Sequence, residues 1–297
     1  MNTAQHPVHG KTAIVTGAAI GLGQAYARAL AQHGANLALC DVREEVLELV
    51  PELEALGVRV LAWVGDVADQ GLARRVTEGA ATQLGSIDIL VNNAGVWRES
   101  TAEDGLDKSL TDYELVINSN LKGHFLFGRA VIPAMISAGR GGEIINIATD
   151  HMVTCGTPWQ VCPKLDTCPW AEAPRPTGGG DTMDLYDAAK WGLNGLLYGW
   201  AKACAPHGIR VNQICMGATD THMLRAFYDF DPPPEEVATW TQPAEHAQVL
   251  IDLLAEGPTG RNAQNMNFCL GRPVKLEPPL PHYYVYPQQI KVEPARG

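Results

Sequence analysis

Short runs of apolar and β-branched residues alternate along this chain with longer stretches whose apolar positions recur at helical spacing. The segment "KTAIVT" (11–16) reads as a buried strand, and "GQAYARALAQHG" after it as a helix stopped by Gly34 at its C-terminal cap. "ANLALCD" (35–41) is the next strand, and "REEVLELVPELEALG" the next helix, ending at Gly57. "VRVLAWVGD" (58–66), "IDILVNNAG" (87–95), "GEIINIAT" (142–149) and "IRVNQIC" (209–215) continue the series of strands, and "NAQNMNFC" reads as a late one. Helical patterns fill the gaps. Such alternation predicts βαβ units, a parallel doubly wound sheet of about seven strands, and helices on both faces of a single α/β domain. In sheets of this kind ligands sit beyond the carboxyl ends of the strands.

Two segments break the alternation. Residues 150–184 hold five prolines, three cysteines and two tryptophans without any period. A long aperiodic loop in a compact domain is usually functional or disordered, and this one is too rich in aromatics and cysteines for a disordered linker. It leaves the predicted strand end at Thr149 and returns before the helix that carries Tyr186, so the expectation is a substrate lid, against the alternative of a buttress. Residues 272–297 form a proline-rich tail with three tyrosines, which packs on its own domain or on a neighbouring subunit. Residues 8–271 therefore make up the domain, insertion included.

Composition narrows the function classes. The chain has 297 residues, 46% hydrophobic and 19% charged, with a net charge of -11. That charge argues against nucleic acid or an anionic membrane surface as a partner, since both attract basic patches. No apolar run is long enough to span a membrane, and the N-terminus lacks the pattern of a signal peptide. Seven cysteines without framework spacing fit reduced thiols, so the expectation is a cytoplasmic enzyme with a small-molecule substrate.

"VTGAAIGLG" (15–23) follows the first strand and opens the first helix. Gly17, Gly21 and Gly23 let the backbone turn tightly and approach a pyrophosphate resting on the helix N-terminus. The second strand ends in Asp41, whose carboxylate can accept bonds from adenosine ribose hydroxyls and would repel a 2′-phosphate. Asp41 can also cap the following helix, and Arg43 could partly offset the repulsion, so NAD is favoured over NADP. In "DLYDAAKWG", Tyr186 lies one helical turn before Lys190. A tyrosine titrates near pH 10, and lowering it by two or three units takes roughly 3–4 kcal/mol, which adjacent positive charge can supply.

These motifs, in this order, resemble those of the short-chain dehydrogenases/reductases. The matching segments are T-G-x-x-x-G-x-G (Thr16 to Gly23), "NNAG" (92–95), "INSNLKG" (117–123), "INIAT" (145–149), "YDAAK" (186–190) and "RVNQICMGATDT" (210–221), within about residues 8–271. The resemblance implies a catalytic set of Asn120, Thr149, Tyr186 and Lys190. Tyr186 would exchange the alcohol proton while hydride passes to or from the nicotinamide; Lys190 would hold the nicotinamide ribose, and Asn120 would anchor a water linking Lys190 to solvent. It further implies a cofactor bed of Gly17, Ile20, Gly21, Leu22, Gly23, Asp41, Asp66, Val67, Asn92, Asn93, Ala94, Gly95, Gly217, Thr219 and Thr221, with Asp66 at the adenine edge and Thr221 at the carboxamide. A homotetramer or homodimer would use the helices after strands four and five.

The chain departs from that pattern in three places. Threonine, at Thr149, stands where the family usually has serine, Met216 stands where a proline precedes Gly217, and the gap from Thr149 to Tyr186 is longer by about two dozen residues. His151, Cys155, Cys162 and Cys168 lie within 18 residues but include no C-x-x-C unit, so loop packing is preferred to zinc and no metal is expected. Trp97, His151, Trp159 and Met216 are the candidate substrate contacts, and with Met152 and Trp170 they suggest a cyclic or aromatic, partly apolar substrate. The reading is an NAD-dependent dehydrogenase of secondary alcohols. Its rivals are an NADPH-dependent carbonyl reductase and an NAD-sensing regulatory protein without turnover.

Overall fold

Alternate residues of the first strand leave the sheet on opposite sides, and this period of two builds the two cores. Ala13 and Val15 join one buried cluster and Ile14 the other; Leu37 and Leu39 separate in the same way from Ala38 and Cys40. The computed structural model describes residues 6–152, 182–268 and 273–278. Its strands are β1 (Thr12–Thr16), β2 (Asn36–Asp41), β3 (Val60–Val64), β4 (Ile89–Asn92), β5 (Gly142–Thr149), β6 (Ile209–Met216) and β7 (Asn265–Phe268). They form one parallel sheet in the order β3-β2-β1-β4-β5-β6-β7. The order reverses between β1 and β4, so the loops after these two strands part and leave a crevice at their carboxyl ends.

Helices α1 (Gly21–Gln32), α2 (Leu49–Glu54) and α9 (Pro243–Ala255) cover one face through Tyr26, Leu30, Leu53 and Leu250. Helices α3 (Gln70–Gly79), α5 (Gly123–Ala138) and α6 (Asp184–Cys204) cover the other through Leu72, Val76, Phe127, Val131 and Leu197. The remaining helices are α4 (Leu106–Ile117), α7 (His222–Arg225) and α8 (Pro234–Val237). As expected, α1 ends at Gly34, whose φ of +85° suits glycine.

The helix expected over 43–57 is broken instead into a 3₁₀ turn at Glu44–Val46 and the six-residue α2. Pro51 accounts for the break, because its ring would collide with the carbonyl four residues earlier in a continuous helix and is tolerated only in a new first turn. The helical run after β4 holds a surprise of the opposite kind. It is nearly continuous from α4 to α5, joined by a π turn at Asn118–Lys122 that contains Asn120.

The insertion leaves directly from Thr149, the last residue of β5, and rejoins the described chain two residues before α6. Its central part (153–181), with Cys155, Trp159, Cys162, Cys168 and Trp170, lies outside the described residues, as do 279–297 of the tail. Val274 and Leu276 of the tail pack against the core under α1 and α9. No helix among the described residues is long and apolar enough to cross a membrane.

Candidate active site

The glycine-rich turn is held by the loop after β4. Thr16 Oγ1 accepts bonds from the backbone N–H groups of Asn93 and Ala94 at 3.0 and 3.1 Å, and Asn93 Nδ2 donates to the carbonyls of Thr16 and Gly17 at 2.9 and 3.0 Å. Gly17 and Gly21 have φ of +64° and +58°. A Cβ on Gly17 would lie 2.8 Å from the Ala94 backbone, and one on Gly23 would collide with the Gly17 carbonyl. Ile20 enters α1 in an extended conformation, and no side chain caps the helix. Backbone N–H groups there remain available to an anion. Asn92, which the sequence places in the cofactor floor, turns into the core and donates to Asn146 Oδ1 at 3.0 Å.

Asp41 ends β2 and is buried. Its Oδ2 accepts from Ala19 N–H at 2.9 Å and its Oδ1 from Arg43 N–H at 3.0 Å, which locks the carboxylate beside the glycine turn. Helix capping, the other role open to it, is not what it does; the 3₁₀ turn that follows starts from Arg43 without a side-chain cap. Arg43 is itself drawn 3.7 Å from Glu45. In register beside this strand end is β3, beyond which Asp66 is exposed and Val67 is buried against Gly123. Carboxylate, glycine turn and bare helix start have the chemistry of an adenosine pyrophosphate bed.

The catalytic candidates converge at the ends of β4 and β5. Asn120 is fully buried; its Nδ2 donates to Val96 and Val116 carbonyls at 2.7 and 2.9 Å, and its Oδ1 accepts from Val96 N–H at 3.2 Å. The side-chain amide is therefore committed to the backbone, so any water held by this residue falls to its main-chain carbonyl in the π turn. A Cβ on Gly95 would run into Asn120 Oδ1, which explains why the chain there is bare backbone. Lys190 Nζ donates to the Ile147 carbonyl at 2.8 Å and lies 5.7 Å from the centre of the Tyr186 ring. Burial lowers its pKa to about 8.

Thr149, 4% exposed, ends β5 with its hydroxyl on the side of the Tyr186 phenol, whose pKa it lowers. Met216 is its register partner on β6. Burial raises the phenol well above its ordinary value, and the charges of Asp187 and Asp150 raise it further against the opposing effect of Thr149. The sequence expectation of a phenol lowered by Lys190 is thus not met by the protein's own groups: burial and two carboxylates raise it.

The loop after β6 closes the site. Thr221 caps α7 and places its methyl 3.6 Å from where a Cβ on Gly21 would lie, so this loop reaches the glycine turn. Gly217 N–H bonds Phe268, while Thr219 is buried in a cluster with Thr241 and His246 at 3.0 and 3.2 Å. Trp97, after β4, stacks on Phe227, after α7, with centroids 3.8 Å apart and planes at 27°.

A family model described as short chain dehydrogenase matches residues 11–158, and one described as Enoyl-(Acyl carrier protein) reductase matches 176–254. The oxidoreductase UcpA of Escherichia coli (strain K12) is 34% identical over 86% of this chain and 82% of its own length. The chain belongs to the short-chain dehydrogenases/reductases. It is an oxidoreductase of that family, whose members bind a nicotinamide cofactor. The 2-dehydro-3-deoxy-D-gluconate 5-dehydrogenase of E. coli (strain K12) is 34% identical over 74% of the chain and 77% of that protein. A solved structure described as a "putative NAD(P) dependent gluconate 5-dehydrogenase" from Beutenbergia cavernae, with NADP bound at low occupancy, superposes with a TM-score of 0.71. It is 26% identical and covers 90% of this chain and 96% of that one.

Three residues beside the reaction centre were not singled out from the sequence of this short-chain dehydrogenase/reductase. Phe227 carried no local signal, because only the folded loops bring it to Trp97. Asp150 and Asp187 adjoin Thr149 and Tyr186 in sequence, and that adjacency was the available signal. His151 Nδ1 meets Asp187 Oδ1 at 2.8 Å, and the His151 ring stands edge-on to Tyr186 at 6.4 Å.

Proposed function

We propose that the protein oxidises an uncharged secondary alcohol, or reduces the matching ketone, with NAD as its cofactor and Tyr186 as the group that exchanges the proton. The observation that carries this reading is the pair of hydroxyls of Thr149 and Tyr186, electrostatically coupled and set beside a buried Lys190 at the carboxyl end of β5. A substrate oxygen seated there meets two hydroxyl groups, one to orient it and one to move its proton. Bound NAD would supply the hydride acceptor and a positive ring that favours the phenolate. Lys190 adds positive charge on the same side, and below pH about 8 it is a cation. Tyr186 takes the proton in oxidation and returns it in reduction.

Substrate shape follows from the surroundings of this pair. Trp97 and Phe227 come from the loops after β4 and β6, the strands on either side of β5, and stack on each other. Together with Met216 this stack supports a cyclic or aromatic substrate, and the buried, unpartnered Trp97 Nε1 offers one donor. Gluconate appears in the names of two relatives, but Asp150 and Asp187 set two carboxylates near Thr149, which disfavours an anionic substrate. A screen of secondary alcohols with NAD and NADP, read at the absorbance band of the reduced cofactor, tests the reading. Binding of NAD without turnover of any alcohol or ketone would leave a nucleotide-sensing protein instead.

Asp41 supports NAD over NADP, since a 2′-phosphate would meet a buried carboxylate that both neighbouring N–H groups hold in place. The wild type should use NAD far more efficiently, and Asp41→Ala should narrow the preference in kcat/KM. Equal wild-type efficiency with NADP overturns this assignment.

Thr149 keeps the donor and acceptor of a serine, so Thr149→Ser should retain substantial turnover. Thr149→Val, which keeps the shape and removes the hydroxyl, should lose about tenfold or more, the cost of an interaction worth roughly 1.5–3 kcal/mol. Val turnover at the wild-type level would show that the hydroxyl does nothing.

The same reading includes a homo-oligomer. Leu110 and Tyr113 on α4, Phe125 on α5 and Trp191 on α6 are exposed apolar side chains, and Leu121, Gly192 and Leu196 line a groove between α5 and α6. Light scattering should give a dimer or larger assembly, converted to monomer by Phe125→Glu combined with Trp191→Glu.

A further inference from the structure

Beside Tyr186 lies a group of ionisable side chains that the proposed reaction does not yet use. Asp150 and His151 sit in the 3₁₀ turn directly after β5, and Asp187 follows Tyr186 on α6. Thr149 joins them to the phenol. Its hydroxyl lowers the pKa of the Tyr186 phenol, lies 3.4 Å from Asp150 Oδ1, and accepts from His151 N–H at 3.4 Å. Asp150 Oδ1 is in turn 4.0 Å from His151 Nε2, and His151 Nδ1 is bonded to Asp187 at 2.8 Å. These groups follow one another from the reaction centre outward, with one gap of 4.0 Å between Asp150 and His151.

Exposure gives this series a direction. The side chains of His151 and Asp187 are each 23% exposed, whereas Lys190 is 4% exposed and bonded to the Ile147 carbonyl. The Asn120 amide on the Lys190 side is spent on Val96 and Val116. The Thr149 side of Tyr186 therefore ends in partly exposed ionisable groups and offers a second way to water besides the Lys190 side.

We propose that Thr149, Asp150 and His151, with Asp187 holding the imidazole in place, form a proton outlet from Tyr186 to solvent. The inference rests on the alcohol-oxidising reading of the same site. In oxidation the alcohol O–H bond breaks and its proton goes to the Tyr186 oxygen as hydride leaves for NAD. Tyr186 then passes that proton to Thr149 Oγ1, the hydroxyl proton of Thr149 moves to Asp150, and Asp150 delivers it to His151 Nε2. The imidazolium releases it to water, and every side chain returns to its starting state; reduction runs the path backwards. Asp187 accepts from Nδ1, which assigns the basic lone pair to Nε2. At 4.0 Å the step from Asp150 to His151 needs a turn of the ring or one bridging water. Asp187 is a positioning residue.

The charges around the imidazole agree with this role. Among the described residues the turn carrying His151 packs on α6, which brings Asp187, Tyr186 and Lys190, and on the end of β6, which brings Cys215 and Met216. Burial lowers the His151 pKa, but the Asp187 bond and the Asp187 and Asp150 charges outweigh it, so the net shift is upward. Asp150 is raised chiefly by burial. Both groups thus take up a proton more readily than in water.

The test is chemical rescue combined with a pH profile, at saturating NAD and alcohol. His151→Ala should lower kcat for oxidation by roughly tenfold, less than the ~10²–10⁴-fold loss of a primary base, and leave KM nearly unchanged. Added imidazole should restore the rate in proportion to its free-base concentration. Asp187→Asn, which preserves shape, removes the bond that raises His151 and a charge that raises Tyr186. The acid limb of its kcat profile should therefore move to lower pH. Rescue by imidazole is the effect that a purely structural role does not predict, since loss of the Asp187 charge on Tyr186 moves the acid limb by itself. An unrescued His151→Ala overturns the outlet while wild-type turnover stands. Absence of wild-type turnover with any alcohol overturns the parent reading, and the outlet with it.

Discussion

Tyr186→Phe should abolish nearly all turnover and leave NADH binding almost unchanged. The substitution deletes one oxygen and keeps a ring that packs edge-on to His151 and beside Lys190. The loss should fall in the range of ~10²–10⁴-fold characteristic of general acid–base groups. Its pH signature follows from the surroundings of the phenol. Burial, Asp187 and Asp150 hold it up, so oxidation needs the countervailing charge of Lys190 and of the bound cofactor. Wild-type oxidation should rise with pH as the phenol ionises, and ketone reduction should fall over the same interval. The limb seen in kcat, which reports the loaded enzyme, should lie at lower pH than that in kcat/KM, measured against the free enzyme. A Tyr186→Phe enzyme that keeps more than about a tenth of the wild-type rate would contradict the assignment.

The sheet was legible because its signals are local. Each run of β-branched and apolar residues between helical patterns became a strand, and the seven-stranded parallel sheet stands as predicted. The glycine turn, Asp41 and the Tyr186–Lys190 spacing also sit together as their order along the chain implied. What escaped depends on tertiary contact or on geometry that has no residue code. The π turn around Asn120 is one case, because nothing in "INSNLKG" distinguishes it from plain helix. The Trp97–Phe227 stack is another, since it joins segments far apart in sequence. The break at Pro51 could have been read, but the strong helical period on either side of it obscured the clash.

The electrostatic character of the site escaped for a different reason. A lysine one turn from a tyrosine invites a statement about two charges, whereas the pKa of a buried phenol reflects everything that surrounds it. Asp150 belongs to the turn after β5 and Asp187 to α6, and only the meeting of those two elements sets both carboxylates against Tyr186. The same meeting brings His151 to Asp187. One contact between a strand end and a helix start thus gathers Tyr186, the carboxylates that resist its ionisation and His151.

Gly23→Ala should cripple cofactor binding, and more severely than Gly21→Ala in the same turn. Gly23 has no positive φ, so its need for glycine is one of space alone. A methyl there would collide with the Gly17 carbonyl oxygen, 2.7 Å from the carbonyl carbon and 2.6 Å from Asn93 Nδ2. The first two atoms are backbone of the phosphate turn, and the third is the amide that holds that turn through the Thr16 and Gly17 carbonyls. Relief is possible only by moving the turn away from α1, which spoils the bed the pyrophosphate needs. An overpacked site of this kind costs up to about 3 kcal/mol, equivalent to roughly a hundredfold in affinity. At Gly21 a Cβ would meet only Thr221, at 3.6 Å, so the cost there is that of a left-handed backbone, about 1–2 kcal/mol and roughly tenfold. NADH titrations followed by fluorescence, with thermal melts to confirm folding, separate the two. Equal losses at both positions, or a Gly23→Ala protein that binds NADH like the wild type, would show that the turn does not carry the cofactor's phosphates.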